Sequence, residues 1–146
     1  MPVQVKAIGR EAVLARLDYG SDLFDSILRL AREHDVRLGT VTAIGAVKKA
    51  RIAFYAQDTK KYEEVSFDTP LEITGLIGNL SMREGHIALH AHVDLGDHTG
   101  KVIGGHLVPG TEVFACEVVM TRLEGPALTR AFDETTSLWL WKAGPA

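Results

Sequence analysis

The feature that most constrains this chain is a change of texture at Leu38. From there onward, short runs rich in β-branched and aromatic residues (TVTAIGAV, RIAFYA, YEEVSF, LEITGLIGNL, HIALHAHVDL, KVIGGHL and EVFACEVVM) alternate with the turn-forming pieces QDTK, DTP, SMREG, GDHTG and VPGT. Runs bounded in this way are strands. Connections this short join antiparallel neighbours, because a parallel crossover needs a dozen or more residues. Interior glycines at Gly45, Gly75, Gly78, Gly104 and Gly105 mark bulges, bends or close backbone approach, so the sheet is expected to curve. Upstream, a short strand-like start is followed by a second strand over Ala12 to Leu17. Gly20-Ser21-Asp22 then offers a turn and an N-cap before LFDSILRLAREHD, where Leu23, Phe24, Ile27, Leu30, Ala31 and His34 share one helical face. The expected class is α+β: a strongly bent, mostly antiparallel sheet forming a partial barrel, with one main helix packed on it.

At 146 residues, 46% hydrophobic and 24% charged, the chain is expected to form one domain over residues 1–146 with a single core. Its net charge of −3 provides no overall field that draws nucleic acid or an acidic membrane surface. A single cysteine, Cys116, rules out an internal disulfide and Cys-rich zinc motifs, so any metal must be held by His and carboxylate. The opening MPVQVKAIGREAVLARL has no apolar run long enough for a signal peptide or membrane span, and the cytoplasm is the expected location. Lys48, Lys49 and Arg51 read as a solvated turn between two strands. Near the other end, Leu138, Trp139, Leu140 and Trp141 must dock on the chain's own core or on another subunit. The subunit is favoured, because a short domain has little area for two more indoles.

Five of the six histidines fall in HIALHAHVDLGDHTGKVIGGHL, residues 86–107. Along HIALHAHVDL, Ile87, Leu89, Ala91, Val93 and Leu95 share one parity, while His86, His90, His92 and Asp94 share the other. A strand therefore turns its apolar residues one way and its histidines the other. His90 and His92 then stand about 6.6 Å apart at their Cα atoms, close enough for their rings to converge on one ion. The turn GDHTG folds KVIGGHL back beside this strand. Pairing positions that sum to 196 or 198 set His106 opposite His90 or His92, and an odd sum of 197 sends it to the other face unless the glycines bulge. Gly104 and Gly105 are expected to leave room above the strand for an ion and a small ligand. Three neutral imidazoles without a fourth ligand is the donor set of a catalytic zinc site with an open position, although histidines on a wet strand face need no ion at all. Zn²⁺ is the expected ion, and other divalent first-row metals fit the same three donors. His98 reads as a solvated turn residue, His86 as an exposed strand end, and His34 as a helix C-terminal cation.

Glu117 places one carboxylate in the otherwise apolar run VFACEVVM. As a buried acid it would need a partner, either the ion itself or the ion's water, for which it would act as a base. The other reading is a Glu at a sheet edge or subunit interface paired with an Arg. Cys116 has the opposite parity and reads as a small core residue.

The segments GTVTAIGAV, ARIAFYAQDTKKYEEVSF, LEITGLIGNLS, HAHVDLGDHTGKVIGGHL and EVFACEVVMTRLEG, taken in order, resemble the plants and prokaryotes conserved (PPC) domain in its free-standing prokaryotic form, over about residues 8–142. The most specific part is HxH, a short turn, then GGH. This resemblance implies a strongly bent antiparallel sheet, assembly as a homotrimer, and a zinc site on His90, His92 and His106. Plant members carry a basic Arg-Gly-Arg-Pro element that grips DNA. That element is absent from this sequence, which leaves DNA a competing partner that neither a motif nor net charge favours. The HxH and GGH pattern is also similar to the zinc site of acetolactate decarboxylase. That similarity implies a zinc-dependent lyase or metabolite-binding protein for small oxo or hydroxy acids, with Arg51, Arg83 or Arg122 receiving the carboxylate. Three classes therefore stand side by side: a metal-using enzyme or binder of a small molecule, a DNA-associated regulator with a structural metal, and an oligomeric scaffold with an incidental site.

Overall fold

The computed structural model describes residues 4–8 and 12–142, and over these residues the expected class holds. The chain runs through β1 (Gln4–Ile8), β2 (Ala12–Leu17), α1 (Leu23–Glu33), β3 (Gly39–Ala56), β4 (Lys61–Phe67), β5 (Leu71–Arg83), β6 (His86–Gly96), β7 (Val102–Leu107), β8 (Glu112–Arg122), β9 (Arg130–Asp133) and β10 (Leu138–Trp141). The main sheet has the order β1-β2-β8-β3-β5-β6-β7, with every neighbouring pair antiparallel, and β4 attaches to β3. The far strand β7 also pairs with β3, at Ile52↔Leu107 and Ala53↔His106, so β3, β5, β6 and β7 form a closed circuit within a partly closed sheet.

The helix forms where the periodicity places it. Asp22 is in an extended conformation, and its carboxylate accepts a hydrogen bond from the Asp25 amide at 2.9 Å, satisfying one of the free donors of the first turn. Leu23, Ile27, Leu30 and Ala31 are buried on the face that packs against β6 and β8, and His34 is the C-cap. They join the inward parities of the strands, among them Leu17, Val41, Leu76, Leu80, Val93, Leu95 and Leu107, in one hydrophobic core. Among the described residues, no helix is long and apolar enough to cross a membrane.

The expected pair of strands around a basic turn is corrected. Residues 39–56 form one strand of 18 residues, and Lys48 and Lys49 lie inside it. The charges are tolerated there because Glu112, across the ladder on β8, receives both ammonium groups, with Lys48 Nζ at 2.6 Å and Lys49 Nζ at 3.6 Å. Lys48 also lies over the ring of Tyr19. The bend comes from register shifts instead of a turn: β3 slips against β5 between Ala43 and Gly45, and against β8 between Ala46 and Lys49.

The closing segment folds back on its own chain, while Phe132, Leu140 and Trp141 stay 52%, 39% and 47% exposed. β10 folds back on β9, from Leu138↔Asp133 to Trp141↔Arg130. This hairpin is tied to the end of β5 by the Met82 amide donating to the Leu128 carbonyl at 2.8 Å and by Arg130 Nε donating to the buried Ser81 Oγ at 2.9 Å.

Gly45 is the point on which the bend turns. Its φ is 151°, and a Cβ there would lie 2.1 Å from the Ala115 carbonyl oxygen and 2.8 Å from the Cys116 Cα. Gly45→Val should therefore cost about 3 kcal/mol or more from strain and overpacking together. Urea unfolding measures this as a lower midpoint at unchanged slope, while Gly75→Ala, whose added Cβ meets nothing within 4 Å, should stay within about 1 kcal/mol.

Candidate metal centre

Strand parity does for β6 what the pattern predicts: Leu89, Ala91, Val93 and Leu95 are buried, and His90 and His92 project from the other face. The β6–β7 ladder pairs His92 with His106, the sum of 198 that the hairpin allowed. The three rings converge, with centroids 5.1 Å apart for His90 and His92, 5.2 Å for His90 and His106, and 5.6 Å for His92 and His106. Their ligating nitrogens all lie within 4.8 Å of one another, and the Nε2 atoms of His90 and His92 are 3.3 Å apart. A tetrahedral ion with bonds of about 2.0–2.1 Å separates its nitrogen ligands by about 3.3 Å. The cluster could therefore hold a metal ion with little rearrangement.

The glycines before His106 have a role other than the expected one. A Cβ on Gly105 would lie 2.8 Å from the Ala53 carbonyl oxygen, and one on Gly104 would lie 2.4 Å from an Asp94 carboxylate oxygen and 2.8 Å from the Val93 carbonyl oxygen. Backbone closeness to β3 and β6 demands them, so they seat β7 in the closed circuit instead of clearing space above the site.

Electrostatics favour the neutral form of His90 and His106. Burial, followed by the neighbouring charges of His90 and His92, pushes the His106 imidazole from 6.5 down to about 4. Burial also lowers His90, helped by His92 and Arg130. His106 Nδ1 is buried without a hydrogen-bond partner, a cost that coordination or a further donor would remove. Tyr62 stacks on the His106 ring at 4.9 Å and 28°, and burial, followed by Tyr55, pushes its phenol up.

Beside the histidines lies an open cavity of about 260 Å³. His90, His106 and Tyr62 form one side, and Arg83, Arg130 and the Ser137–Leu140 stretch form the other. None of its lining residues is an Asp or Glu. Arg130 Nη2 donates to Asn79 Oδ1 at 2.8 Å, and Asn79 pairs with His90 in the β5–β6 ladder, so the arginine buttresses the strand that carries the first ligand.

The structure separates the remaining candidates. Glu117 is exposed on β8, between Arg16 of β2 and Ile44 of β3 in the ladders, and does not join the histidine cluster. The premise of a buried acid therefore fails, because its parity is opposite to that of buried Cys116. His86 and His98 are exposed and outside the cluster. Of the three arginines left open by the sequence, Arg83 lines the cavity, Arg51 hydrogen-bonds Glu64, and Arg122 donates to the His34 carbonyl. Sequence reasoning missed Tyr62, Arg130 and Trp139. A signal for Tyr62 existed: a turn centred on Asp58-Thr59 pairs Tyr55 with Tyr62.

A family model described as the Plants and Prokaryotes Conserved (PCC) domain matches residues 5–124. The solved structure of a metal-containing protein from Archaeoglobus fulgidus is similar at 43% identity and a TM-score of 0.86, with 97% of each chain covered. A protein from Bacteroides thetaiotaomicron, named as a candidate DNA-binding protein, has a TM-score of 0.89 over 96% of each chain at 22% identity, a likeness of fold alone. The bifunctional GlmU protein of a Synechococcus strain is 31% identical over 107 residues, which is 72% of this chain and 16% of the relative. The chain spans about a sixth of the length of the curated relatives it matches.

The lowered His106 value has a sign that can be tested. In metal-free protein, the unfolded chain takes up this proton near pH 6.5 and the folded chain only near pH 4, so stability falls as pH drops through that window and is level above it. Thermal melts of chelator-treated protein from pH 7.5 to 4 should show this decline, and His106→Gln should flatten it.

Proposed function

This chain belongs to the Plants and Prokaryotes Conserved domain family, and from that premise we propose that it is a zinc protein that binds a small acid anion beside the ion. His90, His92 and His106 hold the metal. Three neutral nitrogen donors without a carboxylate suit Zn²⁺ with one position left open, and when bound the ion supplies a Lewis acid for ligand oxygens. The observation that carries the anion reading is the cavity itself: two guanidinium groups and the imidazoles of His90 and His106 line one space, with no acidic side chain among its walls. A divalent ion would add to that positive field. Its enzymatic form is a lyase of small oxo or hydroxy acids, supported by the resemblance of the HxH and GGH pattern to acetolactate decarboxylase. Exposed Glu117 is given no acid or base role in it.

The same reading includes a homotrimer in the cytoplasm. Ile44, Ile77, Phe114 and Val119 are 40–74% exposed on strands whose other faces are buried, more apolar surface than an isolated domain usually leaves wet. Ile77 pairs with His92, so the metal ligands border this face and subunit clefts would form beside them. The competing reading, a DNA-associated regulator, is less favoured: Lys48 and Lys49 are engaged by Glu112 and Arg51 by Glu64, in a chain of net charge −3.

Elemental analysis of protein purified without added metal should find one zinc per chain, and His90→Ala and His106→Ala should each reduce it to background. Substoichiometric zinc that His90→Ala leaves unchanged would overturn the reading. Light scattering should give a particle of three chains, and Ile77→Asp should dissociate it while leaving zinc bound. Across a salt series, duplex DNA should show no phosphate-driven binding.

A further inference from the structure

The matched family domain ends at residue 124, before the β9–β10 hairpin, yet Arg130 and the Ser137–Leu140 stretch of that hairpin line the cavity beside the histidines. The hairpin is fastened at both ends. At its base, Arg130 donates to Ser81 Oγ at 2.9 Å, to Asn79 Oδ1 at 2.8 Å and to the Trp139 carbonyl at 3.0 Å. At its tip, the Tyr55 hydroxyl donates to the Thr136 carbonyl, and Asp133 Oδ2 receives the Thr136 amide at 2.8 Å and hydroxyl at 2.7 Å. A wall held by six hydrogen bonds, three to neighbouring strands and three within the hairpin, is a fixed surface, and fixed surfaces discriminate by shape.

That wall has two chemical parts. The Arg83 guanidinium lies 3.8 Å from the centroid of the Trp139 ring. Among the described residues it makes no hydrogen bond or ion pair, so its donors remain open for a ligand. Stacking on the indole fixes the plane of a group that receives carboxylates through two parallel N–H bonds. Leu138, Leu140 and Ala88 also line the cavity, an apolar contribution with no polar requirement of its own.

We propose that the β9–β10 hairpin selects the ligand: Trp139 positions Arg83 to receive a carboxylate, and the Leu138–Leu140 wall takes an aliphatic substituent on the same small acid. This rests on the zinc reading above, since the ion fixes the ligand's remaining oxygen. The ligand class is then a short 2-oxygenated carboxylic acid with an alkyl tail, in preference to a phosphate ester, a sugar or an unsubstituted acid.

The test uses zinc-loaded full-length protein and calorimetric titration with glycolate, lactate, 2-hydroxybutyrate and 2-hydroxyvalerate. Affinity should rise about fourfold per added carbon, the equivalent of burying one methylene. The double variant Leu138→Ala/Leu140→Ala should flatten this rise and hold glycolate affinity within about twofold, because the apolar wall does not touch the acid group. Trp139→Ala should weaken all four acids together by about tenfold, and Trp139→Phe should recover most of the loss by restoring an aromatic face. Zinc content and melting temperature, measured on every variant, separate these effects from loss of the site or of the fold. A wild-type series that is flat, or one whose slope and level survive both hairpin changes, overturns the proposal and leaves the zinc reading standing. Wild-type protein that retains no zinc overturns both.

Discussion

The structure depends on the backbone pairing of a single long strand. β3 is pinned by β5 and β8 along its first part and by β4 and β7 along its second, and the short contact Ile52↔Leu107 and Ala53↔His106 closes the circuit. Eighteen residues of straight strand would carry the second half away from the first. The bulges around Gly45 and Val47 make the strand bend. Because its φ of 151° and its contact with the Ala115 carbonyl leave no room for a side chain, one glycine makes the barrel-like closure sterically available.

The site follows from that closure. His106 sits on a six-residue strand held between β6 and β3, and its approach to β3 requires the bare backbone of Gly105. His90 of β6 and His106 of β7 then face a space that β4 borders with Tyr62 and the β9–β10 hairpin borders with Arg130, and His92 completes the cluster beside it. Partly burying His90 and His106 without an acid costs protonation: desolvation and repulsion from the neighbouring imidazoles hold both in the neutral form that ligates metals. The same absence of acids leaves the arginine charges in the cavity uncompensated, which ties the metal reading and the anion reading to one physical cause.

Where local pattern and tertiary environment agreed, the sequence was a sufficient guide. Parity along HIALHAHVDL set His90 and His92 on one face, and the GDHTG turn limited His106 to a few registers of which the ladder takes the sum of 198, because side-chain alternation and hairpin register are properties of the chain over some twenty residues. The helix was legible for the same reason: its cap and its apolar stripe are local. The buried-acid reading of Glu117 fails because an apolar run does not show which of its parities is inside, and the acid lies on the exposed one. Lys48 and Lys49 looked like a turn because their partner, Glu112, is more than sixty residues away in sequence.

By itself, then, the sequence determined the α+β class, the antiparallel neighbours, the helix and the face on which the histidines stand, since each rests on periodicities of 2 and 3.6 and on turns of a few residues. Tertiary structure alone decided that β3 is one bent strand, that the closing tryptophans fold onto their own sheet, and that Arg83 and Arg130 face the histidines. Those outcomes depend on contacts between segments such as 130 with 79 and 81, or 53 with 106. Whether such segments meet is set by how the sheet closes on itself, a property of the folded chain that no local window contains.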